Sequence, residues 1–327
     1  MSEWWLTAIV PGATAFAAIL VLRRSRAAAR LADHPNERSL HERARARVGG
    51  LGIALGVAPF AVAHAHGGLA VAFAAALALA LVSLADDVRS LPVEVRLPAH
   101  AAAALVFVLA AAGPAITWPG GWLGSSLAVI GLVWAANLFN FMDGADGLAG
   151  GMAVLGFATF AVGALQAGHG ELALLCTALA SAAAGFLAWN FPPARVFLGD
   201  AGSIPLGFLA GALGCWGALA GAWSGWFPLL VFAPFVVDAT LTLLRRMASG
   251  ERFWLAHRTH LYQRVVLAGW SHRRLAAAAY ALMFVAGSSA LASRAQSPML
   301  QCGILFVWAA AYALLAAAIR GTRRKKA

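Results

Sequence analysis

Apolar segments long enough to cross a bilayer constrain the fold of this chain more than any other feature. A membrane-spanning helix needs about 20 predominantly apolar residues, and eleven segments approach or reach that length in the 327-residue sequence. Only 11% of the residues are charged, whereas soluble domains carry about 25%. The sequence therefore predicts an all-α, polytopic integral membrane protein with a single domain over residues 1–327. The predicted spans lie near residues 4–22, 49–65, 68–85, 97–113, 122–140, 148–167, 171–189, 203–222, 227–244, 274–293 and 301–319.

Basic residues cluster in the connections between these segments, and their positions predict the orientation of the chain. Of the 24 Lys and Arg residues, eight lie between Arg23 and Arg47, seven between Arg245 and Arg274, and five between Arg320 and Lys326. Positive residues favour the cytoplasmic side of a membrane, so we expect the N-terminus outside and the C-terminus in the cytoplasm. This orientation leaves only Arg294 outside. No nucleic-acid partner is expected, because the net charge of +11 follows the loops rather than a groove.

Two adjacent carboxylates, Asp86 and Asp87, end the third predicted helix at its cytoplasmic mouth. Adjacent carboxylates repel each other, which raises one pKa unless a metal ion or another cation lies between them. The pair therefore suits a general base or a partner of a divalent cation. A solvated acidic turn with Arg89 as its neighbour explains the same residues equally well.

Polar residues recur every three positions at the end of the fifth predicted span, at Asn140, Asp143 and Asp146. If the helix continues to Asp146, these side chains share one face. Gly144 and Gly147 would let the phosphates of a ligand approach the backbone closely. A helix cap followed by an Asp-Gly turn is the alternative. The density of polar groups at the membrane edge favours a binding site, because unpaired polar groups are costly in lipid.

The eighth predicted helix opens on a Gly-Asp-Ala-Gly-Ser turn that contains Asp200. Such a turn offers free N–H groups for an anion and a carboxylate for a metal ion, although simple N-capping explains it too. Asn190 and Phe197 precede it and have the chemistry to hydrogen-bond and stack on a nucleobase. A lone Phe more often serves packing.

A basic loop before the tenth predicted helix contains His257, Arg258 and His260. Imidazole and guanidinium groups suit a diphosphate, because Arg binds phosphate with two parallel hydrogen bonds and His can neutralise developing charge. A zinc site is disfavoured, since no thiolate completes a ligand set. A loop that binds anionic lipid headgroups would explain the arginines but not the histidines.

Asp238, inside the ninth predicted helix, raises a different class of function. An intramembrane acid is a functional candidate by default, here as a member of a proton path or as a structural partner of a nearby arginine. An ion-coupled transporter would place polar groups near mid-membrane and on both sides. In this sequence the other candidate groups crowd the face predicted to be cytoplasmic, which favours an enzyme.

Taken in order, these motifs resemble the polyprenyl-phosphate N-acetylhexosamine-1-phosphate transferases, a branch of glycosyltransferase family 4. The resemblance covers about residues 33–274, and no single piece of it is decisive without the others. It is carried by the Asp33–His41 run before Gly49-Gly50, Asp86-Asp87, Asn137–Gly151, Phe197–Ser203 and His257–His260.

The resemblance implies a reaction in which a lipid phosphate displaces UMP from a UDP-N-acetylhexosamine with the help of Mg²⁺, for which Mn²⁺ can substitute. Asp86 or Asp87 would deprotonate or orient the lipid phosphate. Asn140 and Asp200 would bind the metal ion. Asp143 would contribute to catalysis while lining the nucleotide-sugar site.

The remaining residues carried over from the family would bind the nucleotide sugar. Asp146 would line its site, and Asn190 and Phe197 would hold the uracil. The diphosphate would contact the basic loop through His257, Arg258 and His260, and the two histidines would also take part in catalysis.

The basic loop further resembles one branch of the family. Thr259 precedes His260 where many relatives have a third histidine, and the His-Arg-x-His-x-Tyr-Gln-Arg pattern is similar to enzymes that initiate O-antigen or exopolysaccharide chains on undecaprenyl phosphate. The resemblance thus implies lipopolysaccharide or other cell-envelope synthesis at the cytoplasmic face of a bacterial inner membrane, among membrane lipids, with a homodimer as one expectation. Phospho-MurNAc-pentapeptide transferase of peptidoglycan synthesis is the alternative within the family.

Overall fold

Helices account for almost all of the regular structure in the computed structural model of this chain, which describes residues 2–33, 44–112, 118–252 and 257–321. Nine helices in these ranges are long and apolar enough to cross a membrane. The prediction of an all-α, polytopic membrane protein is therefore confirmed. The orientation of the chain in the membrane stays a prediction.

The elements follow one another along the chain with short connections. In order they are α1 Ser2–Leu22, α2 Arg26–Arg30, β1 Ala32–Asp33, β2 Arg45–Ala46, α3 Gly49–His64, α4 Gly67–Arg89, α5 Val93–Ala112, α6 Gly121–Phe141, α7 Leu148–Gln166, α8 Gly170–Asn190, α9 Asp200–Leu219, α10 Trp226–Val231, α11 Ala233–Ala248, α12 Leu261–Leu267, α13 His272–Ser293 and α14 Pro298–Gly321.

Each predicted span coincides with helical structure, with two departures in length. Helix α3 has only 16 residues, shorter than a typical span. The ninth predicted span is broken at Phe232 into α10 and α11. Pro234 lies in the first turn of α11, where its missing N–H costs no hydrogen bond and its fixed φ angle favours a helix start.

A short antiparallel strand pair, absent from the prediction, precedes α3. Ala32 pairs with Ala46, and Asp33 pairs with Arg45. The connection between the strands, residues 34–43, lies outside the described residues, and with it most of the predicted Asp33–His41 motif. The pair brings the chain back to the start of α3 and places Asp33 beside the residues that follow Ala46.

Helices α3 and α9 touch backbone to backbone where both begin. A Cβ added to Gly50 would clash with the Cα atom of Gly202. The backbone N–H of Gly50 also donates to the carbonyl of Leu198 at 2.9 Å, and that of Gly49 donates to Phe197 at 3.0 Å. Glycine is required for this approach, and the contact fixes the start of α9 against the strand pair and α3.

Candidate active site

The predicted site residues meet at one end of the helix bundle, where the C-terminal ends of α4 and α6 approach the N-terminal end of α9. Side-chain contacts join all four described motifs of the site. The joining contacts are Asp87 with the backbone of Asp200, Asn140 with Asp200, Asp146 with Ala194, and Tyr262 with Phe141. The motifs that resemble the family are therefore one structural unit.

Asp87 caps the N-terminus of α9. Its carboxylate accepts hydrogen bonds from the backbone N–H groups of Asp200 at 3.4 Å and Ala201 at 3.1 Å. The first N–H groups of a helix lack partners within the helix, and a carboxylate that accepts from them also interacts favourably with the helix dipole. The side chain of Asp87 is fully buried. Asp87 thereby fixes the backbone from which Asp200 extends.

Arg47 is the cation between Asp33 and Asp87 in the acidic cluster, and no sequence pattern marks it beyond its place before α3. Its guanidinium forms ion pairs with Asp33 and, at 3.2 Å, with Asp87. Burial lowers the pKa of Arg47, but the surrounding carboxylates outweigh this effect and raise it above its ordinary value. Arg47 is accordingly a permanent positive charge that holds the strand pair against α4.

Asp86 and Asp87 turn to different partners. The carboxylate of Asp86 accepts from the backbone N–H of Leu91 at 2.6 Å and from Arg96 at 2.9 Å. Adjacent residues on a helix do not face the same direction, so the two carboxylates do not share one cation in this arrangement. Arg96 also lies 4.0 Å from Asp200. No sequence pattern marks Arg96, because its partners Asp86 and Asp200 lie on two other helices, α4 and α9.

Asn140 and Asp200 face each other across the gap between α6 and α9. The Nδ2 atom of Asn140 lies 3.3 Å from Oδ2 of Asp200, and the Ser203 hydroxyl donates to Oδ1 of Asn140 at 3.1 Å. Carboxylate and carboxamide oxygens are the ligands that Mg²⁺ prefers, and proteins usually supply one or two carboxylates while substrate phosphates complete the set. No group of three or more His, Cys, Asp or Glu residues is arranged to hold a metal ion within the described ranges. The carboxylate of Asp200 fits a metal ion that substrate oxygens help to bind. Asn140 would join it as a ligand only with its amide turned, because Nδ2 faces Asp200 and Oδ1 accepts from Ser203.

Among the described acids of the site, Asp143 is the one whose carboxylate is uncommitted. Its half-buried side chain accepts no hydrogen bond from the residues that the structure describes. Burial raises its pKa well above the ordinary range, and the charges of Asp200 and Asp87 add to this, against the effect of Arg47. Asp143 therefore has free lone pairs and a strong tendency to take up a proton or a cation.

Asp146 and Asn190 form hydrogen bonds that connect the turn before α7 with the segment before α9. The carboxylate of Asp146 accepts from the N–H of Ala194 at 2.9 Å and lies 3.4 Å from Nδ1 of His272. Burial raises its pKa, but the hydrogen bonds with His272 and Ala194 outweigh burial and lower it below the usual range. His272 was missed in the sequence because 126 residues separate it from Asp146.

The amide of Asn190 is fully engaged with backbone. Its Oδ1 accepts from the N–H of Gly147 at 2.9 Å, its Nδ2 donates to the carbonyl of Val196 at 2.9 Å, and the residue is 3% exposed. Phe197 is half-buried, with the Arg45 guanidinium 5.8 Å from its ring centre. The predicted contacts of Asn190 and Phe197 with uracil stay predictions, and Asn190 has a structural role in addition.

The basic loop brings its two histidines together. The rings of His257 and His260 stack with centroids 4.9 Å apart. Burial and the neighbouring His260 lower the pKa of His257 to about 4, so His257 is neutral near pH 7. His260 is buried, with its Nδ1 3.3 Å from Asp238, whereas Arg258 is exposed.

Asp238 holds the helix that follows the histidines. Its carboxylate accepts from the N–H groups of Leu261 at 2.7 Å and Tyr262 at 2.9 Å. Of the two interpretations of this acid, the structural one fits better, but its partners are α12 and His260 rather than an arginine. The Tyr262 hydroxyl in turn donates to the carbonyl of Phe141 at 3.1 Å. The basic loop is thus tied to the end of α6, next to Asp143.

Comparison with known proteins supports the resemblance. Residues 69–218, from α4 to the end of α9, match the sequence profile of glycosyl transferase family 4. The matched segment is somewhat less than half of the chain. The resemblance inferred from the motifs is confirmed, because the chain is similar to this family and to a polyprenyl-phosphate N-acetylhexosamine-1-phosphate transferase.

Individual relatives extend the comparison. A protein of Bacillus subtilis strain 168, described as a probable undecaprenyl-phosphate N-acetylglucosaminyl 1-phosphate transferase, is 27% identical over 84% of this chain and 80% of its own length. The phospho-N-acetylmuramoyl-pentapeptide-transferases of Limosilactobacillus fermentum and Moorella thermoacetica are 31% and 34% identical over 53% and 51% of this chain. The matches span about half of these two relatives, 53% and 52% of their lengths.

Proposed function

We propose that this protein transfers N-acetylhexosamine 1-phosphate from a UDP-N-acetylhexosamine to undecaprenyl phosphate and releases UMP. The reaction would start a lipid-linked cell-envelope glycan at the cytoplasmic face of a bacterial inner membrane. The observation that carries the proposal is the convergence on Asp200, which Asp87 positions from α4 and Asn140 contacts from α6. A homodimer stays a prediction.

The chemistry joins two anions, so it depends on positioning and charge neutralisation. An oxygen of the lipid phosphate attacks the β-phosphorus of the UDP-sugar, and the bond from that phosphorus to the UMP oxygen breaks with its electron pair. A phosphate monoester already carries a charge of about −1.5 to −2 at pH 7. The nucleophile therefore needs orientation more than it needs a strong base.

Asn140 and Asp200 would hold Mg²⁺ or Mn²⁺, which supplies the positive charge that shields the diphosphate from the attacking phosphate. Asp143, with its uncommitted carboxylate and raised pKa, is the group best suited to exchange a proton or to add a ligand oxygen. Asp86 and Asp87 would act mainly through Arg96, Arg47 and the start of α9.

The nucleotide sugar would lie between the Asp146 turn and the basic loop. Asp146, Asn190 and Phe197 would surround the uridine. Neutral His257 and buried His260, with exposed Arg258, would contact the diphosphate. The hydrogen bond from the Tyr262 hydroxyl to the carbonyl of Phe141 supports this arrangement, because it keeps the basic loop beside Asp143.

The second candidate is transfer of phospho-MurNAc-pentapeptide, which the names of two relatives at 31% and 34% identity suggest. The greater coverage of the Bacillus subtilis relative, 84% of this chain, favours a UDP-GlcNAc-like donor. The family match also favours a transferase over an ion-coupled transporter.

The test is UMP release by the purified protein in detergent or nanodiscs, with undecaprenyl phosphate and a panel of UDP-HexNAc donors that includes UDP-MurNAc-pentapeptide. We expect Mg²⁺-dependent release with a UDP-HexNAc and at least a hundredfold loss in Asp200→Asn, on the scale of removing one charge-stabilising group. Equal turnover without divalent cations, or full activity in Asp200→Asn, would overturn the proposal.

A further inference from the structure

Two side chains of helix α13 form hydrogen bonds with the turn between α6 and α7. At its start, Nδ1 of His272 accepts a hydrogen bond from the backbone N–H of Asp146 at 3.1 Å. Two turns further along, the Tyr280 hydroxyl donates to the carbonyl of Gly147 at 2.7 Å. Gly147 has a φ angle of +78°, a conformation that favours glycine. A helix outside the motifs of the site thus holds the turn that carries Asp146.

The contact with His272 reaches the carboxylate of Asp146 as well as its backbone. The same Nδ1 atom lies 3.4 Å from one carboxylate oxygen, and the N–H of Ala194 donates to the other at 2.9 Å. A neutral imidazole can accept the backbone hydrogen bond at Nδ1, and a protonated one can donate from Nδ1 to the carboxylate. In the neutral state α13 holds the backbone of Asp146, and in the protonated state it holds the carboxylate instead. In both states the N–H of Ala194 holds the carboxylate from the segment before α9.

We propose that His272 is a positioning residue for nucleotide recognition, which presets the Asp146–Gly147 turn and the direction of the Asp146 carboxylate before the UDP-sugar binds. This inference rests on the proposed function, in which Asp146 lines the nucleotide-sugar site. Preorganisation lowers the cost of ordering a binding site. Loss of the His272 side chain should therefore weaken binding of the nucleotide. Binding of the lipid phosphate, which we place near Arg96 and Asp86, should be nearly unchanged.

Two substitutions of similar size separate this role from a general effect on packing. In His272→Asn the side-chain oxygen can occupy the place of Nδ1 and still accept the N–H of Asp146. In His272→Gln the amide extends towards the place of Nε2, so polarity is kept but the contact is lost. Tyr280→Phe is a further comparison. It removes the hydrogen bond from α13 to the carbonyl of Gly147 and keeps the contact of His272 with Asp146.

The experiment measures the KM of each substrate and kcat, together with the equilibrium Kd of UMP and of UDP-GlcNAc without lipid. We expect His272→Gln to raise the Kd and the KM of the nucleotide sugar about tenfold, the scale of one lost hydrogen bond. His272→Asn should remain within about threefold of the wild type. Tyr280→Phe should change these constants less than His272→Gln does, and melting temperatures should show that the variants are folded.

The proposal is overturned if His272→Gln binds nucleotide like the wild type, if it weakens both substrates equally, or if Tyr280→Phe matches it. A wild-type protein that binds UMP but turns over no UDP-HexNAc would refute the proposed reaction while leaving the binding comparison of His272 intact. A wild-type protein that neither binds UMP nor turns over would refute both.

Discussion

The carboxylate of Asp87 accepts a hydrogen bond from the backbone N–H of Asp200 at 3.4 Å. The acid that ends one membrane helix thereby caps the next helix of the site, at the residue best suited to bind a metal ion. The adjacent acids Asp86 and Asp87 thus have different tasks, since Asp87 fixes the backbone from which the Asp200 side chain extends and Asp86 binds Leu91 and Arg96.

Removal of the Asp87 side chain should destabilise the protein as well as inactivate it. Asp87→Ala removes a helix cap, worth about 0.5–2 kcal/mol, and leaves Arg47 without one partner. We expect a melting temperature several degrees below that of the wild type. Asp87→Asn keeps an acceptor for α9 and should lose less stability. Asp87→Ala with an unchanged melting temperature but no activity would show that Asp87 is only a catalytic group.

Arg47 and Asp87 should be energetically coupled. Arg47→Met leaves neighbouring carboxylates uncompensated, and breaking such a pair typically costs about 3–5 kcal/mol when it is buried and less when, as here, the guanidinium is partly exposed. The double variant Arg47→Met, Asp87→Asn should be more stable than the sum of the single effects predicts, by about 0.5–3 kcal/mol.

The neighbouring Arg45→Met serves as the matched control for this cycle, because Arg45 lies over the ring of Phe197 and is not placed between the acids. It should cost less than about 1 kcal/mol. Additive effects of Arg47→Met and Asp87→Asn on unfolding would contradict the account of the acidic cluster.

Asp143→Asn should inactivate the enzyme and stabilise its fold at neutral pH. The pKa of Asp143 is raised in the folded protein, so the fold favours the protonated acid. At a pH above that pKa the acid is charged, and its charge lowers the free energy of unfolding. The cost diminishes as the pH falls through the folded pKa and is absent below about 3.9, the ordinary value of an Asp.

Melting temperatures of the wild type and Asp143→Asn, measured from pH 5 to 9, test this sign. The advantage of the variant should be greatest at high pH and shrink towards acid. An advantage that grows as the pH falls would contradict the raised pKa, and a variant that is less stable at every pH would mean that the Asp143 carboxylate has a stabilising partner.

The spans and the polar motifs were predictable from the sequence, for physical reasons that apply to each locally. Apolar length determines a membrane helix, and polar groups such as Asn140 and Asp200 at a helix end are costly without a function. The ionic and hydrogen-bonding partners of Asp87 and Asp146 were not predictable. Arg47 reaches Asp87 across 40 residues and His272 reaches Asp146 across 126, and no local pattern marks either contact.

Capping roles were missed for a related reason. Asp87, Asp238 and Asn190 each bind backbone groups of a distant segment. Backbone N–H and C=O groups are present at every position, so a sequence gives no sign of which ones a side chain will reach. Sequence patterns therefore identified these polar residues and left their structural tasks open.

Transfer of the phosphate together with the sugar is tested most directly with a UDP-HexNAc that carries ³²P in its β-phosphate. With undecaprenyl phosphate and Mg²⁺, we expect the label to enter the lipid fraction in equal amount to the UMP released, and Asp200→Asn to abolish both. Label that stays in water-soluble UDP while the sugar enters the lipid, or label transfer that persists in Asp200→Asn, would contradict it.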